Sequence, residues 1–226
     1  DARRVKAPAS WMDAPIGLQW SPQDENRILL LYGTAIAILD LRDSTVRVIL
    51  DPDPDRWIFW ATWSPEGDSL FYSRGRSGLE PLVEGGLHVM DANGRGQRAF
   101  TMEWRQPPYP VDAVSFSPDG RWLVFTTTPT DSTGYATSSD YDLFLVRRDG
   151  AGFRRLTELN GNARNPRWAL GGAEIVFDWV PHDCARTLSP VRHTWSVRPD
   201  GSMLRRWPRD LGDSRVAFSY PPAFDN

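Results

Sequence analysis

One short pattern returns five times along the chain and limits what it can fold into. Residues 113–120 read AVSFSPDG, with LQWSPQD at 18–24, ATWSPEGD at 61–68, PRWALGGAE at 166–174 and a degraded copy, VAFSYPP, at 216–222. The aromatic heading each copy is Trp20, Trp63, Phe116, Trp168 or Phe218, at steps of 43, 53, 52 and 50 residues. A period of about 40 to 50 residues is the mark of a stacked or radial repeat, in which each unit buries its apolar face only against a neighbour.

Each repeat parses into four short strands. In the third, 113–116 is a first strand. The turn SPDG follows, where proline presets φ and Asp-Gly supplies the polar and left-handed positions. WLVFTTT (122–128), DLFLVR (142–147) and FRRLTEL (153–159) are the next three strands, rich in β-branched and aromatic residues. The other repeats fit the same template, with Asn93-Gly94, Asp149-Gly150 and Asp200-Gly201 as turns between third and fourth strands. No segment carries sustained helical periodicity. The predicted fold is all-β: a β-propeller of four-stranded antiparallel blades, whose radial packing hides most strand edges. The expected divisions are an arm at 1–16, repeats at 17–59, 60–112, 113–164 and 165–214, and one strand of a fifth repeat at 215–226.

The recurrent W/F-S-P-D/E-G turn, an apolar strand, and a strand ending in M/V-D/R-x-D/N-G resemble the TolB-like repeat, a bacterial relative of WD-type propeller repeats. The likeness runs from about Leu18 to Tyr220. It is strongest in the third repeat (VSFSPDGRWLVF…DLFLVRRDGAGFRRLT) and good in the second (ATWSPEGDSLFYS…GLHVMDANGRGQRAFT). SPQDEN and ALGGAE replace the standard turn in the first and fourth. The resemblance implies a propeller found in periplasmic accessory proteins, surface proteins and the non-catalytic propeller of oligopeptidases. It implies no reaction. Relatives usually close with six or more blades. Four repeats and one strand therefore imply a fragment, a small ring of four or five blades, or a propeller completed by a partner or a second copy, with the incomplete or partner-completed form expected.

Composition fits a packed β domain: 226 residues, 40% hydrophobic, 12% aromatic, eleven tryptophans. A net charge of −3 gives no general attraction to nucleic acid or anionic lipid. Lys6 is the only lysine, and the arginine pairs 147–148, 154–155 and 205–206 read as solvated strand faces. Cys184 stands alone, so no intrachain disulfide forms. No run of about 18 apolar residues predicts a transmembrane helix. The start at Asp1, without methionine or an apolar leader, reads as a processed chain or an excised fragment.

The long irregular segments all emerge on one propeller face. They are the loops between second and third strands (74–86, 128–141, 180–192) and those between blades (51–60, 104–112, 160–165). Long loops on a rigid scaffold are where binding resides. Candidate binding residues there are Asp53, Asp55, Trp57, Trp104, Tyr109, Tyr135, Asp140, His182, Asp183 and His193. Asp51, Asp53 and Asp55 alternate as a hard cation favours, yet the segment lacks the further ligands and the bend glycine of a calcium loop. His182, Cys184 and His193 lack the paired spacing of a zinc site, and no third group orients a Cys-His nucleophile pair. No catalytic or phosphate-binding motif occurs. Neither catalytic residues, metal nor cofactor are expected.

The expected function is a non-catalytic protein-binding or assembly module, periplasmic or at the cell surface. Two alternatives stay open. One is the substrate-gating propeller of a serine oligopeptidase; the other is a sugar-binding or lyase propeller using Trp57, Trp60 and His182.

Overall fold

The structure, a computed structural model, describes residues 15–75, 86–100, 111–129, 140–181 and 192–206. Among these, sixteen strands form four antiparallel sheets, each of four strands in sequence order. Blade 1 holds β1 (Gly17–Trp20), β2 (Arg27–Leu31), β3 (Ile36–Asp40) and β4 (Thr45–Leu50). Blade 2 holds β5 (Trp57–Trp63), β6 (Ser69–Gly75), β7 (Gly86–Asp91) and β8 (Arg98–Ala99). Blade 3 holds β9 (Asp112–Phe116), β10 (Trp122–Thr127), β11 (Asp142–Arg147) and β12 (Arg154–Arg155). Blade 4 holds β13 (Gly161–Ala169), β14 (Glu174–Pro181), β15 (His193–Val197) and β16 (Arg205–Arg206). Among the described residues the fold is all-β, with one 3-10 turn at Leu170–Gly172 where ALGGAE replaces the standard turn.

Alternation along the strands builds the cores between blades. In β10, Leu123 and Phe125 pack toward blade 2 with Phe71, Val89 and Phe144, whereas Val124 packs toward blade 4 with Leu143, Leu145 and Phe177. Both faces of an inner strand are thus buried, and its sequence reads as a continuous apolar run. Side chains stitch the same joints. The Gln19 amide donates to Thr62 Oγ1 and accepts from the Trp63 backbone N–H, both at 3.1 Å. The indoles of Trp60 and Trp168 donate to the backbone oxygens of Val114 and Ser115, each at 3.2 Å. Trp60, expected on the loop-bearing face, is a joint between blades 2 and 3.

Strand limits differ from the sequence reading in two ways. The first strands begin at Trp57, Asp112 and Gly161, so WIFW and much of GNARN, expected as loops, are strand. Each of these strands carries a register shift, opposite Arg74/Ser73, Thr126/Val124 and Asp178/Val176. A bulge breaks the two-residue alternation, so the residues ahead of it do not look like strand in sequence. The fourth strands of blades 2 to 4 pair over only two residues, all exposed. As the outer edge, they have one neighbour and little apolar surface to cover.

The SPDG turn is built by its own side chains. The Ser117 hydroxyl donates to Asp119 at 2.6 Å and accepts from the Trp122 N–H at 2.9 Å. Gly120 lies at φ +69, and a Cβ there would sit 3.1 Å from Glu66 Oε1 and 3.4 Å from Pro65, in the turn of the preceding blade. Arg148 pairs with Glu66 across the same joint. The turns thus stack from blade to blade.

These turns also set the acid limit of the fold. Arg42 holds the Asp40 carboxyl at about 2. Asp68 is lowered by the Ser69 and Ser64 hydroxyls, Asp91 by the Arg95 N–H, Asp119 by Ser117, Asp200 by Ser202, and Glu174 by Ser196 and Arg205. A carboxyl depressed in the folded state stabilises it above the unfolded value and loses that contribution as pH falls through the folded value. Burial raises Asp112 and Asp142 instead, and these two act in the opposite sense. With six lowered carboxyls against two raised, and the buried His88 ring also held below the usual histidine value, the melting temperature should be highest near neutral pH, begin to slip below about pH 6.5 and fall more steeply from about pH 4 to 2. Thermal melts by circular dichroism check this, and a melting temperature that rises on acidification would contradict it.

Blade 1 differs from the others on the face turned away from blade 2. Leu30, Tyr32, Ala35 and Ala37 form a small cluster with Ile28, Leu39, Val46 and Val48. Beside it, Leu18 and Trp20 are 60% and 54% exposed, whereas Trp63, at the matching position of blade 2, is 3% exposed. Blade 1 covers Trp63, and among the described residues no fifth blade packs on Trp20. The expected arm at 1–16 falls almost wholly, and the partial fifth repeat at 215–226 entirely, outside the described residues.

Candidate functional site

The rim formed by the starts of first and third strands and the ends of second strands is the one from which the long loops leave. Of the candidates named from sequence, Trp104, Tyr109, Tyr135, His182 and Asp183 lie outside the described residues, as does Cys184. The others are at the rim, where each has structural work. Asp53 accepts from the Arg74 guanidinium at 2.8 Å, stands 3.7 Å from Arg56, and accepts from the Asp55 N–H at 3.0 Å. Asp53 thereby pins the turn between blades to the end of β6, and Asp55 contributes its backbone. Trp57 packs on Gly33: a Cβ at Gly33 would lie 2.6 Å from the indole, and the neighbouring Ile58 N–H donates to the Gly33 carbonyl at 2.8 Å. Asp140 is buried. The His193 ring stacks on Trp179, with centroids 5.9 Å apart, and Arg206 donates to its Nδ1 at 2.8 Å. Trp57 is a half-buried part of the joint between blades 1 and 2 and His193 a half-buried part of blade 4, not an open aromatic platform.

A second histidine, His88, stacks on the buried Tyr72 at 5.2 Å. Burial, then the Arg74 and Arg56 charges, push its pKa below the usual histidine value. The ring is therefore neutral at physiological pH. Among the described residues, no three His, Cys, Asp or Glu side chains stand close enough to hold a metal ion.

What the structure brings together is a group the sequence reading passed over: Asp112, Tyr141 and Arg164. Asp112 opens β9 immediately before Ala113, which is held at φ +50. Arg164 lies in β13 immediately before Asn165, at φ +51. Asp112 and Arg164 are paired in register just ahead of the bulges, with Thr126 and Asp178. They therefore occupy equivalent positions in adjacent blades. Left-handed backbone costs an L-residue about 1–2 kcal/mol. Non-glycine residues held there, at bulges that re-aim a side chain, cluster at functional sites.

Tyr141 lies between the two. Its carbonyl accepts from the Ala163 N–H at 2.8 Å, and its N–H donates to Asn162 Oδ1 at 3.1 Å. The start of β11 is thereby tied to the start of β13. The Arg164 guanidinium sits over the Tyr141 ring, 5.6 Å from its centroid. Burial raises the Asp112 carboxyl, opposed by the Ala113 N–H and the Arg164 charge. Tyr141 is raised by burial and by Asp112. Next to them, Asp142 is buried and fully engaged: Arg155 donates to it at 2.6 Å, Thr157 at 2.8 Å and the Leu159 N–H at 3.3 Å. Asp142 braces β11. Arg164 is exposed, and among the described residues no carboxylate forms an ion pair with it. All three of Asp112, Tyr141 and Arg164 lie in or beside segments expected as loops. The only sequence signal for them is a charged or phenolic residue at the loop–strand boundary.

No protein-family model matches the chain. Among curated proteins, the uncharacterised protein Atu1656 of Agrobacterium fabrum is 24% identical over 148 residues, covering 64% of this chain and 42% of its own length. Among solved structures, TolB from Acinetobacter baumannii superposes with a TM-score of 0.59 at 16% identity, over 86% of this chain and 43% of that one. An oligogalacturonate lyase in complex with manganese does so with a TM-score of 0.59 at 15% identity, over 84% and 52%. The fold is thus a TolB-like propeller fold. The chain spans about half the length of the proteins it matches.

Proposed function

We propose that the chain is a non-catalytic, protein-binding propeller module that presents its loop-bearing rim to a partner outside the cytoplasm. One observation carries this reading. The strained first-strand bulges of blades 3 and 4 hold an acid and a guanidinium that forms no ion pair among the described residues, with the phenol of Tyr141 under the guanidinium, at a rim where pre-set polar groups on a rigid scaffold select a ligand. The likeness to TolB supports a protein partner and a periplasmic setting. The likeness to a lyase is of fold, and His88 and His193, the described histidines, are both spent on packing. Among the described residues no helix is long and apolar enough to cross a membrane. Leu18 and Trp20, exposed on the outer face of blade 1, offer a second contact for another copy or for the partner itself.

The test is capture of periplasmic proteins on the immobilised chain, compared with variants at the rim (Tyr141→Ala with Arg164→Glu) and at the blade 1 face (Leu18→Glu). A partner lost only with the rim variant supports the reading. Cleavage of oligogalacturonate by the chain, abolished by the rim variant, would replace it with the lyase reading.

A further inference from the structure

The rim group has the chemistry of a subsite, and its parts select one kind of ligand. Arg164 offers a planar fork of donors suited to a carboxylate taken side-on. Its position is fixed by the ring of Tyr141 beneath it, and Tyr141 is fixed by two backbone hydrogen bonds to β13. Asp112, at the equivalent position of the neighbouring blade, offers a half-buried carboxyl that suits an N–H donor. With the Asp112 carboxyl acting on the same corner, a doubly charged phosphate meets more repulsion than a single carboxylate does. A group carrying one carboxylate with an amide N–H beside it matches the pair.

We propose that Asp112, Tyr141 and Arg164 form a subsite for the free carboxyl terminus of a peptide, Arg164 taking the carboxylate and Asp112 the terminal amide N–H. This deepens the protein-binding reading and rests on it. The bulges at Ala113 and Asn165 are then positioning devices, since each breaks the regular alternation immediately after Asp112 or Arg164, at matching positions of neighbouring blades. Capture of a chain terminus uses a short segment and needs no large interface, which suits a corner between two blades.

The experiment uses an array of hexapeptides of varied sequence, each synthesised with a free carboxyl and as the carboxamide, probed with the whole chain. Free-acid peptides should bind and their carboxamides should bind at least tenfold more weakly. Arg164→Gln should abolish the difference and Arg164→Lys should keep part of it, both with an unchanged melting temperature. Equal binding of the two forms, binding by Arg164→Gln equal to the parent, displacement by inorganic phosphate as effective as by peptide, or no binding of any peptide would overturn the subsite. If a captured partner still depends on the rim variants in that event, the protein-binding reading stands without it. If capture is independent of them, that reading falls as well.

Discussion

Replacing Trp63 by alanine is expected to lower the unfolding free energy by about 3–5 kcal/mol, the usual cost of emptying a large core position. Trp63 is 3% exposed and fills the joint between blades 1 and 2 with Leu29, Leu31, Ile36, Ile58 and Leu70. Its backbone N–H, held by Gln19, fixes β5 against β1, so the cavity has little freedom to collapse. The indole Nε1 is buried without a partner. A Trp63→Phe variant removes that unsatisfied group while keeping most of the volume, and should lose less than half as much. Trp20→Ala, at the matching but exposed position, should cost far less than either. Urea unfolding followed by circular dichroism measures all three, and equal losses for Trp20→Ala and Trp63→Ala would refute the assignment of covered and uncovered blade faces.

The second large effect is expected at Asp142. Its carboxylate, 1% exposed, gathers Arg155, the Thr157 hydroxyl and the Leu159 N–H, and Thr157 in turn accepts from the Leu143 N–H at 3.0 Å. Asp142→Ala strands the buried Thr157 hydroxyl and the part-buried Leu159 N–H and removes the partner of the exposed Arg155. Leaving a buried donor unsatisfied costs about 1–3 kcal/mol, so a loss of about 2–4 kcal/mol is expected. Asp142→Asn keeps an acceptor for Thr157 and Leu159 and loses only the charge, so it should retain part of the stability. Tyr141 stands next in sequence and is tied separately to β13. The tenfold preference for a free carboxyl at the rim should therefore survive in Asp142→Asn below its melting temperature. Indistinguishable melting of Asp142→Ala and the parent would show that the network contributes nothing.

The blade pattern was readable because each repeat states it locally. Ser117, Pro118, Asp119 and Gly120 fold their turn with atoms no more than five residues apart, and the same residues recur where the turn recurs. The strands of β10 and β11 are apolar on both faces, which marks an inner strand without knowledge of its neighbours. The bulged first strands were not readable. Trp57–Phe59 and Gly161–Asn165 break alternation, and whether such a stretch is loop or strand depends on the partner strand across from it.

The rim residues show the same division. Sequence placed Asp53, Asp55, Trp57, Asp140 and His193 at the loop-bearing face, and the structure keeps them there while spending Asp53 on Arg74, Trp57 on Gly33 and His193 on Trp179. It could not relate Asp112 to Arg164, which stand 52 residues apart and occupy matching positions only because consecutive blades repeat the same bulge in register. By itself the sequence determined the four-stranded unit, its turns and the end from which the long loops leave, since these follow from local backbone preference and from the two-residue alternation of side chains. The tertiary structure alone decided which polar groups at the rim are spent on packing and that, among the described residues, the blade face of Leu18 and Trp20 is exposed. Both depend on what neighbouring blades supply, and no residue carries that information within its own repeat.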